Sequence, residues 1–181
     1  MTQGRFIAVV GPSGVGKDSV MQGIANIAHN LHLVRRVITR APKLGGEDYD
    51  AVSDPQFQDM ADNDAFAVHW RAHGLCYGIP QTVRYQLSKG TDCLANVSRK
   101  ALLACSGTFP NLLVLNITAK HETLATRLSA RGRENEADIK KRLAEADKPL
   151  PEHLNILSLS NDGPLDQTIT RAIALLQPVS V

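Results

Sequence analysis

Phe6-Ile-Ala-Val-Val-Gly-Pro-Ser-Gly-Val-Gly-Lys-Asp-Ser19 is the stretch on which the fold turns. Its first five residues form an unbroken apolar run of strand length, as a strand covered on both faces of a parallel sheet requires. The run stops at Gly11. From Lys17 to about Asn30, Val20, Met21, Ile24, Ile27 and Ala28 recur at three- and four-residue steps, which predicts a helix. Between the two lies Gly11-Pro-Ser-Gly-Val-Gly-Lys17, a GxxxxGK string. In a strand–loop–helix setting such glycines let backbone N–H groups turn inward around phosphate oxygens. The helix N-terminus adds its positive dipole end, and the lysine reaches the β- and γ-phosphates. Gly11, Pro12, Ser13, Gly14, Val15, Gly16, Lys17, Asp18 and Ser19 are therefore the candidate ATP-binding residues. The common pattern has Ser or Thr after the lysine, where this chain has Asp18 and then Ser19. A hard cation favours carboxylate oxygen, so Asp18 is the candidate ligand for Mg2+, with Ser19 the alternative.

Working outward, Leu31 to Ile38 reads as a strand, and the polar stretch Thr39 to Asp50 as a loop. A short helix is expected at Phe57–Ala61. Two short strands follow over Phe66–Tyr77, turning at His73-Gly74. A helix near Thr82–Lys89, a strand at Asp92–Val97 and a helix near Arg99–Cys105 come next, then a buried strand at Leu112–Ile117. Helices are expected at His121–Ala130 and Glu136–Ala146, a strand at Asn155–Leu159 and a last helix at Leu165–Leu176. Strands alternating with helices make βαβ units. The expected fold is a single α/β domain over residues 1–181, a three-layer P-loop core with a mostly parallel sheet. The core spans about 1–38 and 91–181, and an acceptor-binding insertion spans about 39–90. An Arg-bearing lid is expected at about 130–137.

Composition sets the outer bounds. With 181 residues, 43% hydrophobic and 21% charged, the chain is ordinary for one globular domain. A formal charge of +2 does not argue for nucleic acid or a membrane surface. Cys76, Cys93 and Cys105 are scattered, without a CxxC pair, so they read as free thiols in a reducing compartment rather than as a zinc site. No run approaches ~20 apolar residues, so a cytoplasmic location is expected.

Further along, several stretches resemble the guanylate kinase family over nearly the whole chain. Thr39-Arg40-Ala-Pro-Lys43 is similar to that family's T-R-x-P-R acceptor-phosphate motif, and Gly46-Glu-Asp-Tyr49 to the G-E…D-Y after it. His69-Trp70 and His73-Gly-Leu-Cys-Tyr77-Gly78 resemble its E-W…G-x-Y-Y-G segment. Arg131-Gly132 and Arg142-Leu143 resemble the lid, and Asn161-Asp-Gly-Pro-Leu165-Asp166 the N-D-x-L-D near the adenine. The resemblance implies that Arg40, Lys43, Tyr49 and Tyr77 hold the acceptor's phosphate. It implies that Asn161 lies by the ATP base, and that Arg131 and Arg142 act catalytically with Lys17 by closing over the transferring group. Phosphoryl transfer independently wants such groups, because it rests on positioning and charge neutralisation.

The resemblance departs where guanine is read. That family carries Glu before the Trp, Ser or Thr after Tyr-Gly, and Asp on the later strand. Here His69, Ile79 and Asn96 stand at those places. Losing carboxylates would leave guanine N–H groups unpaired. His69, with Arg71, Arg84 and Arg99 as candidate neighbours, suits a second anionic group rather than a base, and Asn96 is a further candidate acceptor-binding residue. The loop Gly-Lys-Asp-Ser, the segment Trp70 to Pro80 and Asn96-Val-Ser-Arg99 resemble the ribose 1,5-bisphosphate phosphokinases of phosphonate breakdown within that family. A phosphorylated sugar is then the expected partner, with no nucleic acid or membrane. The oligomeric state stays open, a homodimer being one option. The alternatives are a guanylate kinase with unusual base contacts and a non-catalytic module of the same fold. Blander readings stand beside these: Arg35-Arg36 as a solvated strand edge, Trp70 as core packing, and His69 as a core histidine.

Overall fold

The computed structural model describes residues 3–42, 47–132 and 135–177. Its strands are β1 (Phe6–Val10), β2 (Leu31–Leu33), β3 (Arg36–Ile38), β4 (Tyr49–Ala51), β5 (Phe66–Ala72), β6 (Leu75–Pro80), β7 (Asp92–Asn96), β8 (Leu112–Thr118) and β9 (Ile156–Ser160). Its helices are α1 (Lys17–Ile27), α2 (Asp54–Asp62), α3 (Val83–Ser88), α4 (Leu102–Thr108), α5 (His121–Arg131), α6 (Glu136–Ala146) and α7 (Leu165–Leu176). A single 3-10 turn, Arg99–Ala101, leads into α4.

The strands form a five-stranded sheet, in the order β2-β7-β1-β8-β9, and a four-stranded sheet, in the order β4-β3-β6-β5. In the first, β2 runs parallel to β7 and β8 parallel to β9. In the second, β3 and β4 are parallel, while β6 is antiparallel to both β3 and β5. The mostly parallel α/β fold expected from the sequence is therefore present. The single strand expected over residues 31–38 is instead two, and they serve different sheets. The Val34 N–H bonds to the Leu94 carbonyl at 2.9 Å, whereas Arg36 already pairs with Tyr49.

By packing, the chain divides into two compact units. One runs up to Ala8 and from Asn30 to Leu113; the other takes Val9–His29 and the chain from Val114 onward.

In the second unit, α1 buries Val20, Met21 and Ile24 and packs on α7, which buries Thr168, Ala172 and Leu176. Gly23 is what lets these two helices approach. A Cβ there would stand 2.1 Å from Cδ1 of Ile169, closer than any carbon contact allows. Helix α5 buries Leu124 and Leu128 and ends on Gly132 in the left-handed conformation, a common helix stop. Helix α6 opens with the Asn135 side chain accepting from the Asp138 N–H at 2.8 Å, and it buries no residue.

In the first unit, α2 enters through a capping box. Ser53 Oγ accepts from the Gln56 N–H, and Gln56 Oε1 accepts from the Ser53 N–H at 2.9 Å. The helix lays Phe57 onto Val37, Phe66 and Cys76, with Met60 at the margin. Burying a side chain of that size stabilises by roughly 1.5–3 kcal/mol. His73 and Gly74, at φ +52° and +74°, close the β5–β6 hairpin in the mirror-image turn whose twist matches the strands.

Period-two alternation then sorts the four-stranded sheet. Ile38 lies opposite Tyr77, Trp70 opposite Tyr77, and Arg36 opposite Tyr49. Those residues share one face; Val37 lies on the other with α2, and the register shift between Phe66 and Val68 turns Phe66 to that face as well.

Candidate functional site

The second unit carries the phosphate loop. Gly16 caps α1 at φ +91°, and its missing Cβ leaves room for Asn161 Nδ2, which would otherwise lie 2.8 Å from that carbon. Asn161 is buried and donates from Nδ2 to the Val15 carbonyl at 2.8 Å, while its own N–H bonds to the Thr118 carbonyl. Arg127 completes the brace. Its Nη1 reaches the Val15 carbonyl at 3.3 Å and its Nη2 the Asn161 carbonyl at 2.8 Å. The loop backbone is thus braced at Val15 by two side chains. Lys17 folds over the loop, with Nζ 2.8 Å from the Gly11 carbonyl and 3.3 Å from that of Pro12. Arg142, from α6, donates through Nη1 to Ser13 Oγ in the same loop. Arg131 is exposed in the last turn of α5.

Asp18 and Ser19 lie exposed on the first turn of α1, directly after Lys17. Among the described residues, no group of three or more His, Cys, Asp or Glu side chains is gathered as a metal cage. Mg2+ needs no such cage. It keeps several waters and binds through one or two protein oxygens together with substrate phosphates. A carboxylate and a hydroxyl beside the loop fit that demand.

Asp162 adjoins the brace. Its carboxylate accepts from Ser160 Oγ at 2.7 Å, from the Lys120 N–H at 2.8 Å and from Thr123 Oγ1 at 2.8 Å. Those three donors, Ser160 first, hold its pKa down to about 2. Asp162 so supplies, from across the fold, the capping oxygen that Lys120 at the start of α5 lacks.

The first unit carries the other expected cluster. On one face of the four-stranded sheet, Arg40 Nη2 lies 3.4 Å from the Tyr77 hydroxyl, and its guanidinium sits 5.5 Å over the Tyr49 ring. The Tyr49 hydroxyl donates to the Ala41 carbonyl at 2.8 Å. Arg36, on β3 and on the same face as Tyr77, stacks over the Tyr77 ring at 5.0 Å. It is only 5% exposed, and it pairs through Nε and Nη2 with both carboxylate oxygens of Glu47. Trp70 stacks on Tyr77 from β5, ring centroids 5.5 Å apart and planes 8° from parallel.

The structure gathers Arg40, Tyr49 and Tyr77. It does not bring His69 to them. His69 pairs with Gly78, one step along from Tyr77, so alternation turns its ring to the α2 face, where it lies edge-on to Phe57 and tilted against Phe66. Asn96 ends β7, half-buried, and is engaged in further contacts. Lys43 and Gly46 lie outside the described residues. Arg36, Glu47, Trp70 and Arg127 were not singled out as site residues. Reading the strand backward from Arg40 through Ile38 would have found Arg36. Arg127 acts on Val15 from 112 residues away and leaves no local trace.

The thiols are set apart from this chemistry. Cys93 and Cys105 are fully buried, and desolvation pushes the pKa of each up to about 12.

Comparison with known proteins places these geometries in a lineage. The guanylate kinase family profile matches residues 3–176. A ribose 1,5-bisphosphate phosphokinase PhnN from Ruegeria sp. (strain TM1040) is 48% identical over 176 residues, covering 97% of this chain and 93% of that protein. A protein of the same name from Rhizobium etli is 44% identical over 177 residues, covering 96% and 90%. Among solved structures, guanylate kinase from Anaplasma phagocytophilum superposes with a TM-score of 0.65 at 18% identity. That match covers 97% of this chain and 86% of that one, a likeness of fold.

Proposed function

Because the chain belongs to the guanylate kinase family, we propose that it transfers the γ-phosphoryl of ATP to the 1-phosphate of ribose 1,5-bisphosphate, giving 5-phosphoribosyl 1-diphosphate and ADP. The observation that carries this reading is the Arg36, Arg40, Tyr49 and Tyr77 face. Arg40 offers its guanidinium and Tyr49 and Tyr77 their phenols to phosphate, Arg36 is tied to the Glu47 carboxylate, and buried Ile79 stands where a base-reading hydroxyl would be. Such a face suits an acceptor of phosphates without a base. The full-length similarity to proteins named for this reaction supports the same acceptor.

In the proposed mechanism the loop N–H groups and Lys17 hold the donor's β- and γ-phosphates. Arg142, already seated on Ser13 of the loop, and Arg131 neutralise charge on the phosphoryl oxygens as it moves. Arg40, Tyr49 and Tyr77, with Lys43 and Asn96, hold the acceptor's phosphates, and a 1-phosphate oxygen is the nucleophile. A new P–O bond forms to that oxygen while the bond to the ADP oxygen breaks. No base is needed, because a phosphate monoester, with its second pKa about 6, is already ionised at neutral pH. Asp18 or Ser19 would hold Mg2+, which would supply charge neutralisation at the donor's phosphates. A cytoplasmic setting, where ATP and sugar phosphates occur and buried thiols stay reduced, belongs to the same reading.

Lys17→Ala tests the donor half. ATP-dependent turnover should fall roughly 10²–10³-fold, the cost of removing one transition-state donor. Near-normal turnover by this variant would show that the donor phosphates lie elsewhere.

A further inference from the structure

Tyr77 is held from both sides. Trp70 is its direct cross-strand partner on β5, and the two rings stack almost parallel. On the β3 side the Arg36 guanidinium lies over the same phenol, and Glu47 fixes that guanidinium through its Nε and Nη2. The order β4-β3-β6-β5 makes this a row running Glu47, Arg36, Tyr77, Trp70 across one face of the sheet. Within the row, the Tyr77 hydroxyl is 3.4 Å from Arg40 Nη2. The row is also costly to keep. Arg36 is taken out of water, and the Trp70 indole N–H is buried without an acceptor among the described residues. A sheet needing only apolar packing at these positions would be better served by aliphatic side chains.

We infer that Trp70 and Arg36 are positioning residues for the acceptor: they clamp Tyr77 so that its hydroxyl stands beside Arg40 before the acceptor's phosphate arrives. This rests on the reading that the Arg40, Tyr49 and Tyr77 face receives the acceptor, and it adds a division of labour within it. Arg40 and Tyr77 touch phosphate, whereas Trp70 and Arg36 act through Tyr77. Preorganisation of this kind spares side-chain ordering on binding, so its loss should fall on acceptor affinity rather than on the ATP side.

The test is a double-mutant cycle in the full-length protein. Trp70→Leu should raise the KM for ribose 1,5-bisphosphate roughly tenfold and leave the KM for ATP unchanged, since coupled neighbours commonly interact on that scale. In a Tyr77→Phe background the same Trp70→Leu change should add less than about twofold, because the hydroxyl that Trp70 positions is gone. Trp70→Phe, which restores an aromatic stack, should recover most of the loss. Arg36→Lys, which keeps the charge for Glu47 but not the planar face, should repeat the pattern. An equal penalty for Trp70→Leu in both backgrounds would overturn the clamp, as would a loss confined to kcat or to the KM for ATP. Trp70 is the only tryptophan in the sequence, which gives a readout without turnover. Its emission should change on titration with ribose 1,5-bisphosphate in the absence of ATP, and an unchanged spectrum at saturation would also count against the clamp. If the wild type uses GMP and not ribose 1,5-bisphosphate, the functional reading fails. The cycle and titration run with GMP, which brings its own phosphate, would still decide the clamp.

Discussion

Replacing Gly16 by alanine should weaken both the fold and the hold on ATP, and two other glycines, Gly74 and Gly163, show by how much. At φ +91° an alanine pays the left-handed penalty of about 1–2 kcal/mol. Its Cβ would also lie 2.8 Å from Asn161 Nδ2, which donates to the Val15 carbonyl inside the second unit. Asn161 is buried, so pushing it away strands its amide and leaves the Val15 carbonyl only the longer bond from Arg127, at a cost of about 1–3 kcal/mol more. The sum is about 2–5 kcal/mol. Gly74 supplies the control for strain alone: its φ is +74°, yet an added Cβ meets nothing within 4 Å. Gly163 supplies the control for neither, having open space and no left-handed backbone to report. Urea unfolding at equilibrium should therefore rank the alanine variants Gly163, Gly74, Gly16, with losses near zero, about 1 and about 3 kcal/mol. The Gly16→Ala protein should also bind ATP more weakly, because the loop amides move with Val15. If Gly16→Ala and Gly74→Ala lose the same stability, the Asn161 brace contributes nothing and the account of the loop is wrong.

Cys93 and Cys105, with pKa values pushed up to about 12, should resist a thiol-directed reagent at pH 8 until urea unfolds the chain. The same shift makes the urea midpoint fall as pH rises above 9, where unfolded thiols ionise and folded ones do not; a flat alkaline limb would contradict it. Asp162 has its pKa lowered from 3.8 to about 2, so its contribution is complete above the unfolded value and is lost as pH falls toward 2. Asp162→Ala should flatten the stability profile in that window, and an unaltered acid limb would dismiss Asp162 as the cap of α5. Arg36→Met should cost about 3 kcal/mol by leaving Glu47, whose side chain is 16% exposed, without its partner. Arg36→Met with Glu47→Leu should recover most of that in urea unfolding, and a double variant as unstable as the single would count against the pair.

Where the sequence spoke through local signals it was legible. The apolar run Phe6–Val10, the glycines after it and the helix from Lys17 needed nothing beyond neighbours in the chain. Helix α7 begins at Leu165 and ends at Leu176, as its periodicity requires. The β5–β6 turn at His73-Gly74 was likewise visible from residue type. What stayed hidden depends on pairing. A two-residue turn fixes His69 opposite Gly78 and Trp70 opposite Tyr77, and a slip of one residue would exchange their faces. Motif resemblance aligns His69 with an acceptor-reading position but cannot see that register. Arg36 next to Arg35 looks like a wet strand edge until Glu47, eleven residues on, closes over it, while Arg35 does remain exposed beside Asp48 and Asp50. Arg127 and Asn161 brace the loop over separations of more than a hundred residues, which no window of sequence spans.

The most direct test of the proposed reaction is to incubate the protein with MgATP and ribose 1,5-bisphosphate, GMP, ribose 5-phosphate or no acceptor, and to follow ADP and product phosphates together by phosphorus NMR. The account predicts ADP release that depends on ribose 1,5-bisphosphate, with 5-phosphoribosyl 1-diphosphate rising in equal amount. Faster release with GMP, or release without a matching diphosphate product, would contradict it.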